Sequence, residues 1–168
     1  FILKLIMRLP LRLISSYKPW LFHRSYATHF QNLLELQEES LQCFPTRPLF
    51  GQKDPVTQQF EWTTHQEWDY QITDTSQQLY QSGLKRGDTL ALISNNSLNW
   101  ATIAYACYRN GIIFVPLYET QKISDWEYII QDCSAKMLLC SQSEIVSSCL
   151  HLEQKIPELK EVLSVDKF

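Results

Sequence analysis

Residues 83–116 read GLKRGDTLALISNNSLNWATIAYACYRNGIIFVP, and this stretch decides the fold. Gly83 supplies a left-handed stop to the helix that precedes it. Lys85-Arg86-Gly87-Asp88 has the composition of a turn, and Thr89-Leu90-Ala91-Leu92-Ile93 is a short apolar run suited to a buried strand. Asn95-Asn96-Ser97 offers N-cap chemistry for a helix from about Leu98 to Arg109. That helix carries Ala101, Ala104, Tyr105, Ala106, Cys107 and Tyr108, small and aromatic side chains that permit close packing on a sheet. Gly111 ends it, and Ile112-Ile113-Phe114-Val115 is the next strand, closed by Pro116.

The same alternation continues on both sides. Upstream, Thr64-His65-Gln66-Glu67 is a capping box, and Trp68, Ile72, Thr75 and Leu79 follow at helical spacing. Downstream, Ser124-Asp125-Trp126-Glu127 reads as a second capping box, starting a helix that runs to about Cys133. Lys136 to Cys140 is a further strand, Gln142 to Gln154 a further helix broken by Pro157, and Glu161 to Val165 a last strand. Strands that alternate with helices and read as continuous apolar runs predict an α/β fold. It has a mostly parallel sheet with helices on both faces. Before this body, Gln31 to Gln42 is helix-compatible, with Leu33, Leu34, Leu36 and Leu41 for a core face. Pro45, Pro48, Gly51 and Pro55 then mark an irregular connection.

Six pieces in this order carry a resemblance: FEWTT (60–64), GLKRGDTLAL (83–92), NNSLNW (95–100), AYAC (104–107), GIIFVPLY (111–118) and EYIIQDCSAK (127–136). Together they resemble the N-terminal part of the AMP-forming acyl-CoA synthetases, the adenylate-forming ligases. The form of Val115-Pro116-Leu117-Tyr118 is closest to the long-chain or mitochondrial malonyl-type members. The resemblance implies a partial domain, the N-terminal subdomain of the adenylate-forming ligase fold. It also implies a parent enzyme that joins a carboxylic or fatty acid to CoA with ATP, through an acyl-adenylate. ATP, magnesium and CoA are the cofactors implied for that full-length parent.

The family's catalytic segments have no counterpart in this sequence. Its Ser/Thr/Gly-rich loop ending in Pro-Lys cradles the ATP phosphates through backbone amides and a lysine. Here the four glycines are Gly51, Gly83, Gly87 and Gly111, and no two are placed to make such a loop. The family's adenine- and magnesium-binding segment, ribose-binding Asp, hinge and C-terminal catalytic Lys are also missing. No residue is therefore assigned a catalytic, cofactor-binding or metal-binding role, and no cofactor is expected to be bound by this segment alone. Adenylation needs a carboxylate held in line with an α-phosphate whose charge is neutralised, so the chain by itself is expected to be inactive. The partner expected is the remainder of the synthetase. The alternative is a truncated, non-catalytic relative acting as a structural or interaction subunit in mitochondria, with a protein partner covering its exposed apolar sheet. A flavodoxin-like binding domain is disfavoured, because no Gly-rich phosphate turn follows a predicted strand.

Composition fits one globular domain: 168 residues, 45% hydrophobic and 12% aromatic, with a net charge of −3. The charge is unevenly placed. Residues 1–26 contain Lys4, Arg8, Arg12, Lys18 and Arg24 and no acid, leaving an acidic remainder without a basic cluster. That argues against nucleic-acid binding. Lys4, Arg8 and Arg12 stand four apart, opposite Ile6, Leu9 and Leu13, and Arg24-Ser25-Tyr26-Ala27 resembles a matrix-protease site. Residues 1–26 are thus expected to be a mitochondrial transit peptide addressing the matrix. Residues 27–58 are read as a helical lead-in and irregular connection, and 59–168 as the N-terminal portion of an AMP-dependent synthetase/ligase domain. Phe1 opens the chain where Met7 begins a more natural leader, so the true N-terminus is open. No apolar run reaches the length of a membrane span.

Other chemistry-bearing residues read as structural. Cys43, Cys107, Cys133, Cys140 and Cys149 show no C-x-x-C pair and no zinc spacing with His23, His29, His65 or His151. Cys107, Cys133 and Cys140 fall in helix or strand patterns and are expected to be small buried hydrophobes. Trp62, Trp68, Trp100 and Trp126 are expected to anchor the core, since no basic cluster surrounds them as in a base-stacking platform. Asp88 is expected to make a turn, Asn95 and Asn96 to cap a helix, and Glu35, Glu38 and Glu39 to form a solvated helix face.

Overall fold

The structure, a computed structural model, describes residues 30–167, so the leader assigned to residues 1–26 lies outside the described residues. Helix α1 spans Leu33–Cys43, strand β1 Pro48–Lys53, β2 Phe60–Thr64 and α2 His65–Gln81. There follow β3 (Thr89–Ile93), α3 (Leu98–Asn110), β4 (Ile113–Leu117), α4 (Ile123–Asp132) and β5 (Met137–Cys140). Helices α5 (Ser143–Cys149) and α6 (Leu152–Lys155), β6 (Glu161–Ser164) and a 3-10 turn complete the chain.

Strands β4, β3, β5 and β6 lie in that order in one fully parallel sheet. Every residue of β3 and of β5 is buried, because both strands are covered on two faces. Alternate side chains divide between the layers. Leu90, Leu92, Met137 and Leu139 join a core with Trp68, Ile72 and Leu79 of α2 and Ile103, Ala106 and Cys107 of α3. Ala91, Ile93, Leu138 and Cys140 join the opposite core with Trp126 and Ile130 of α4, Cys149 of α5 and Leu152 of α6. This placement of helices follows from right-handed crossovers. The step from β3 to β4 moves one way across the sheet and places α3 on one face. The steps from β4 to β5 and β5 to β6 move the other way and place α4, α5 and α6 on the second face. The predicted doubly covered α/β architecture is the one observed.

Local signals set the first-face helices. Thr64 Oγ1 accepts from the Glu67 amide at 3.2 Å while Glu67 Oε2 accepts from the Thr64 amide at 2.8 Å, completing the predicted capping box. Ser97 Oγ accepts from the Trp100 amide at 3.1 Å and starts α3, and Gly111 ends it with φ +66°. Helices α2 and α3 are tied by Arg109–Asp69 at 2.7 Å and Ser76–Asn110 at 2.8 Å.

Five expectations are corrected. The second capping box does not form: α4 starts one residue before Ser124, with Lys122 as an N-cap that makes no side-chain bond. The Tyr118–Gln121 turn sets the entry instead, and Trp126 Nε1 donates to the Tyr118 carbonyl at 2.9 Å. The predicted helix over 142–154 is divided into α5 and α6; Ser147 and Ser148 hydroxyls donate back to the carbonyls of Ser143 and Glu144, a competition that weakens helices. The irregular connection contains β1, which pairs antiparallel with β2. Pro48 stands at the first residue of β1, where no ladder bond is lost, and Gly51 leaves room for the Trp62 ring, 2.9 Å from where a Cβ would sit. Strand β4 does not close at Pro116 but runs through it, as an edge strand allows, and it is only partly buried, with Ile113 54% exposed. Finally, α1 does not present a leucine core face. Leu33 and Leu36 are exposed, Leu34 and Leu41 are half-buried, and Gln37 is the buried residue, its Nε2 donating to Asp69 Oδ1 at 3.1 Å.

Gly111 and Gly83 both hold a positive φ after a helix, but only at Gly111 would a Cβ meet a neighbour, Arg86 Cγ at 2.9 Å. Gly111→Ala is therefore expected to cost about 1–2 kcal/mol and Gly83→Ala about 1 kcal/mol. Urea unfolding monitored by circular dichroism measures the difference, and equal losses would show that the Arg86 contact contributes nothing.

Candidate functional site

Open parallel sheets bind ligands beyond the carboxyl ends of their strands, where neighbouring strands send their connections to opposite faces. Strand β3 leads to α3 on the first face, whereas its neighbours β4 and β5 lead to α4 and α5 on the second. The crevice between these loops is held by Glu119. Its Oε1 accepts from the Asn95 amide at 3.1 Å and from the Ser141 hydroxyl; its Oε2 accepts from Asn95 Nδ2 at 2.5 Å and Gln142 Nε2 at 3.3 Å. One carboxylate thus ties together the loops after β3, β4 and β5. With four donors already on it, it serves as a brace for the carboxyl edge. The sequence reading did not single it out, because Glu119 and its donors are separated by 22 to 24 residues and meet only through the parallel pairing.

Beside this brace lies a cleft of about 100 Å³, lined by Ser94, Asn96, Trp100, Pro116, Leu117 and Tyr118. Its walls are largely apolar. Ser94 Oγ donates to the Asn95 carbonyl at 2.7 Å, and Asn96, Trp100 and Tyr118 bring further polar groups to the lining. Among the described residues, the lining brings no Lys or Arg to the cleft. Gly83, Gly87 and Gly111 all lie at the amino edge of the sheet, before β3 or β4, and Gly51 lies in β1. No glycine is therefore available at the carboxyl edge to let a backbone wrap around phosphate.

The residues weighed in the sequence are placed as follows. Asp88 makes its turn, with Oδ2 accepting from the Lys85 amide at 2.8 Å. It also pairs with Lys136 Nζ at 2.5 Å, joining the entries to β3 and β5 at the amino edge. Ser97 alone caps α3; Asn95 binds Glu119 and Asn96 lines the cleft, so the expectation that both asparagines cap is corrected. Trp68 and Trp126 are buried, with Trp68 Nε1 donating to Thr102 Oγ1 at 3.1 Å, and Trp100 packs edge-on to Phe114. Trp62 does not anchor the core. It is 59% exposed and stacks on Phe60. Cys107 and Cys140 are buried as expected and Cys133 is half-buried. Burial pushes the Cys107 thiol up to about 12, an inert state. Of the acidic trio, Glu38 is exposed, whereas Glu35 braces the start of α1 by accepting from the Gln31 amide and Asn32 Nδ2. Among the described residues, no group of three His, Cys, Asp or Glu side chains is arranged to hold a metal ion.

Two predictions follow from these ties. The hydrogen bond from Lys136 holds Asp88 below its ordinary 3.8, helped by the Lys85 amide and the charge of Lys160. A depressed acid contributes stability above its ordinary value and loses it as pH falls through the lowered one. Asp88→Asn should therefore flatten the fall in stability below pH 3.8 and lower the plateau at neutral pH, read from urea midpoints across pH. At the other edge, Glu119→Ala should cost about 1 kcal/mol by releasing donors that are mostly solvent-accessible, and should speed amide exchange at Asn95 and Ser141 while sparing β3.

Comparison with known proteins places this arrangement. Residues 38–168 match the family model described as AMP-binding enzyme. Long-chain-fatty-acid–CoA ligase FadD15 of Mycobacterium bovis is 28% identical over 95 residues, covering 56% of this chain and 16% of that protein. Long-chain-fatty-acid–CoA ligase 5 of Rattus norvegicus is 22% identical over 151 residues, covering 85% and 21%. Among solved structures, the anthranilate CoA ligase AuaEII in complex with anthranoyl-AMP superposes with a TM-score of 0.70 at 19% identity, over 83% of this chain and 26% of that one. The chain thus spans about a fifth or less of the two curated relatives. With its parallel sheet, two helical layers and a family match over most of its length, the chain belongs to the AMP-binding enzyme family, as an N-terminal part of an AMP-forming acyl-CoA synthetase.

Proposed function

We propose that this chain forms the N-terminal α/β unit of an ATP-dependent ligase that converts a carboxylic or fatty acid to its CoA thioester through an acyl-adenylate. The observation that carries this reading is the family match over residues 38–168, joined to relatives named as long-chain-fatty-acid–CoA ligases. In this reading the unit is a scaffold. Its two-sided core and the Glu119 brace hold the carboxyl edge in one shape, against which the rest of the ligase is built.

The described residues do not fit ATP and magnesium. The crevice where an open sheet would take phosphate is bordered by Glu119, itself an anion, and no glycine-rich turn lies there. ATP, magnesium and CoA are accordingly assigned to sequence that this chain does not carry, and no step is derived through them. The partner proposed is the remainder of the synthetase. Half-exposed β4, with Ile113 and Pro116 open to solvent, and Tyr118 at 70% exposure form the surface it would cover. A matrix address is proposed from the basic, acid-free residues 1–26.

ATP–pyrophosphate exchange tests the reading. A polypeptide that continues this chain through a Ser/Thr/Gly-rich loop ending in Pro-Lys should exchange in the presence of a fatty acid, while the 168-residue chain alone should give background. Exchange by the chain alone would overturn the scaffold role. Its absence from the continued polypeptide with short-, medium- and long-chain acids would overturn the ligase reading.

A further inference from the structure

Asn110-Gly111 is the one Asn-Gly pair in the sequence, and it stands where α3 hands over to β4. In an open chain such a pair is prone to lose its amide. A glycine has no side chain to obstruct its own nitrogen from reaching the asparagine carbonyl carbon. The fold restrains both reacting groups. Asn110 is the last residue of α3 and is clamped to α2: its Oδ1 accepts from Ser76 Oγ at 2.8 Å, and its Nδ2 donates to the Ser76 carbonyl at 2.7 Å. The nucleophile is engaged as well, since the Gly111 amide donates to the Tyr108 carbonyl at 3.1 Å. Ser76 is buried whereas Gly111 is exposed, so solvent stands beside the pair while the clamp is shielded from it.

This clamp requires an amide. One end of the Asn110 side chain accepts and the other donates, both to Ser76. A carboxylate only accepts, so an aspartate there would set an anionic oxygen against the Ser76 carbonyl. Its charge would also lie at the C-terminal end of α3, where the helix dipole disfavours an anion. An isoaspartate would lengthen the backbone by one methylene just before Gly111. The Gly111 carbonyl accepts from the Gly87 amide at 2.9 Å, and the Ile113 amide donates to the Asp88 carbonyl at 2.8 Å. Extra backbone at that point displaces the entry of β4 beside β3.

We propose that Asn110 is a deamidation site gated by fraying of the last turn of α3, and that its acidic products cannot rebuild the clamp to α2, which makes the conversion one-way. In the frayed turn the Gly111 nitrogen attacks Asn110 Cγ and gives up its proton. A C–N bond forms, and the side-chain nitrogen leaves with that proton as ammonia. The resulting succinimide takes up one water, which opens it at either carbonyl to aspartate or isoaspartate. No electrons change hands. Chemical change of the opened form then drains the native chain irreversibly.

The test incubates the full 168-residue chain at mildly alkaline pH in buffer, in sub-denaturing guanidinium and in fully denaturing guanidinium. Peptide mapping that separates aspartate from isoaspartate follows position 110. Conversion should be at least roughly tenfold slower in the folded chain than in the unfolded one. At low guanidinium the rate should rise in step with amide exchange at Ile112, whose N–H closes the same turn onto the Cys107 carbonyl. Ser76→Ala, which removes one clamp bond, should speed conversion in the folded chain about fivefold. Converted wild-type chain, returned to buffer, should unfold at a lower denaturant midpoint than unconverted chain. Equal rates in folded and unfolded chain, a low-guanidinium rate that ignores Ile112 exchange, or a converted chain with an unchanged midpoint would each overturn the proposal. The wild-type comparisons keep the test decisive even if Ser76→Ala fails to fold.

Discussion

The structure depends on the two-sided burial of strands β3 and β5. Their nine residues are all buried, and alternate side chains feed two separate cores. Removing one fully buried Leu or Ile from such a layer is worth about 2–5 kcal/mol, whereas a partly exposed ion pair such as Asp88–Lys136 is worth about 1 kcal/mol or less. The apolar layers therefore set the fold, and polar ties refine its edges. Because both faces of these strands need cover, helices must lie on both sides, and the direction of each crossover then decides which helix covers which face.

Polar ties are arranged by edge. At the amino edge, Asp88 and Lys136 join the entries to the two central strands. At the carboxyl edge, Glu119 gathers donors from the loops after β3 and β5. The second tie has a chemical consequence, since it sets an anion of the protein beside the crevice that other open sheets leave for an anionic ligand. Exposed apolar side chains include Ile113 on edge strand β4 and, on the β1–β2 ribbon, Phe60 and Trp62, which stack in the open.

Much of this was legible in the sequence. The apolar runs 89–93 and 136–140, the Thr64 box, the Ser97 cap and the Gly111 stop each act within a few residues, and each produced the element it announces. The failures share a cause. Strand β1 escaped notice because Pro48 and Gly51 look like breakers, and are tolerated only because the strand starts at one and the Trp62 ring lies over the other. Ser124 was read as a cap, but a tertiary bond from Trp126 to Tyr118 fastens the first turn of α4 in its place. In α1, the leucines looked like the core face, yet contact with Asp69 turned Gln37 inward.

The sequence by itself determined the class of fold and the family, because periodicity, caps and stops are short-range properties and the six motif pieces keep their order along the chain. Only the tertiary structure decided the gathering of donors around Glu119 and the open face of β4. Parallel strands are joined through helices rather than tight turns, so residues that share an edge or a layer are far apart in the chain. No local pattern records which of them will touch.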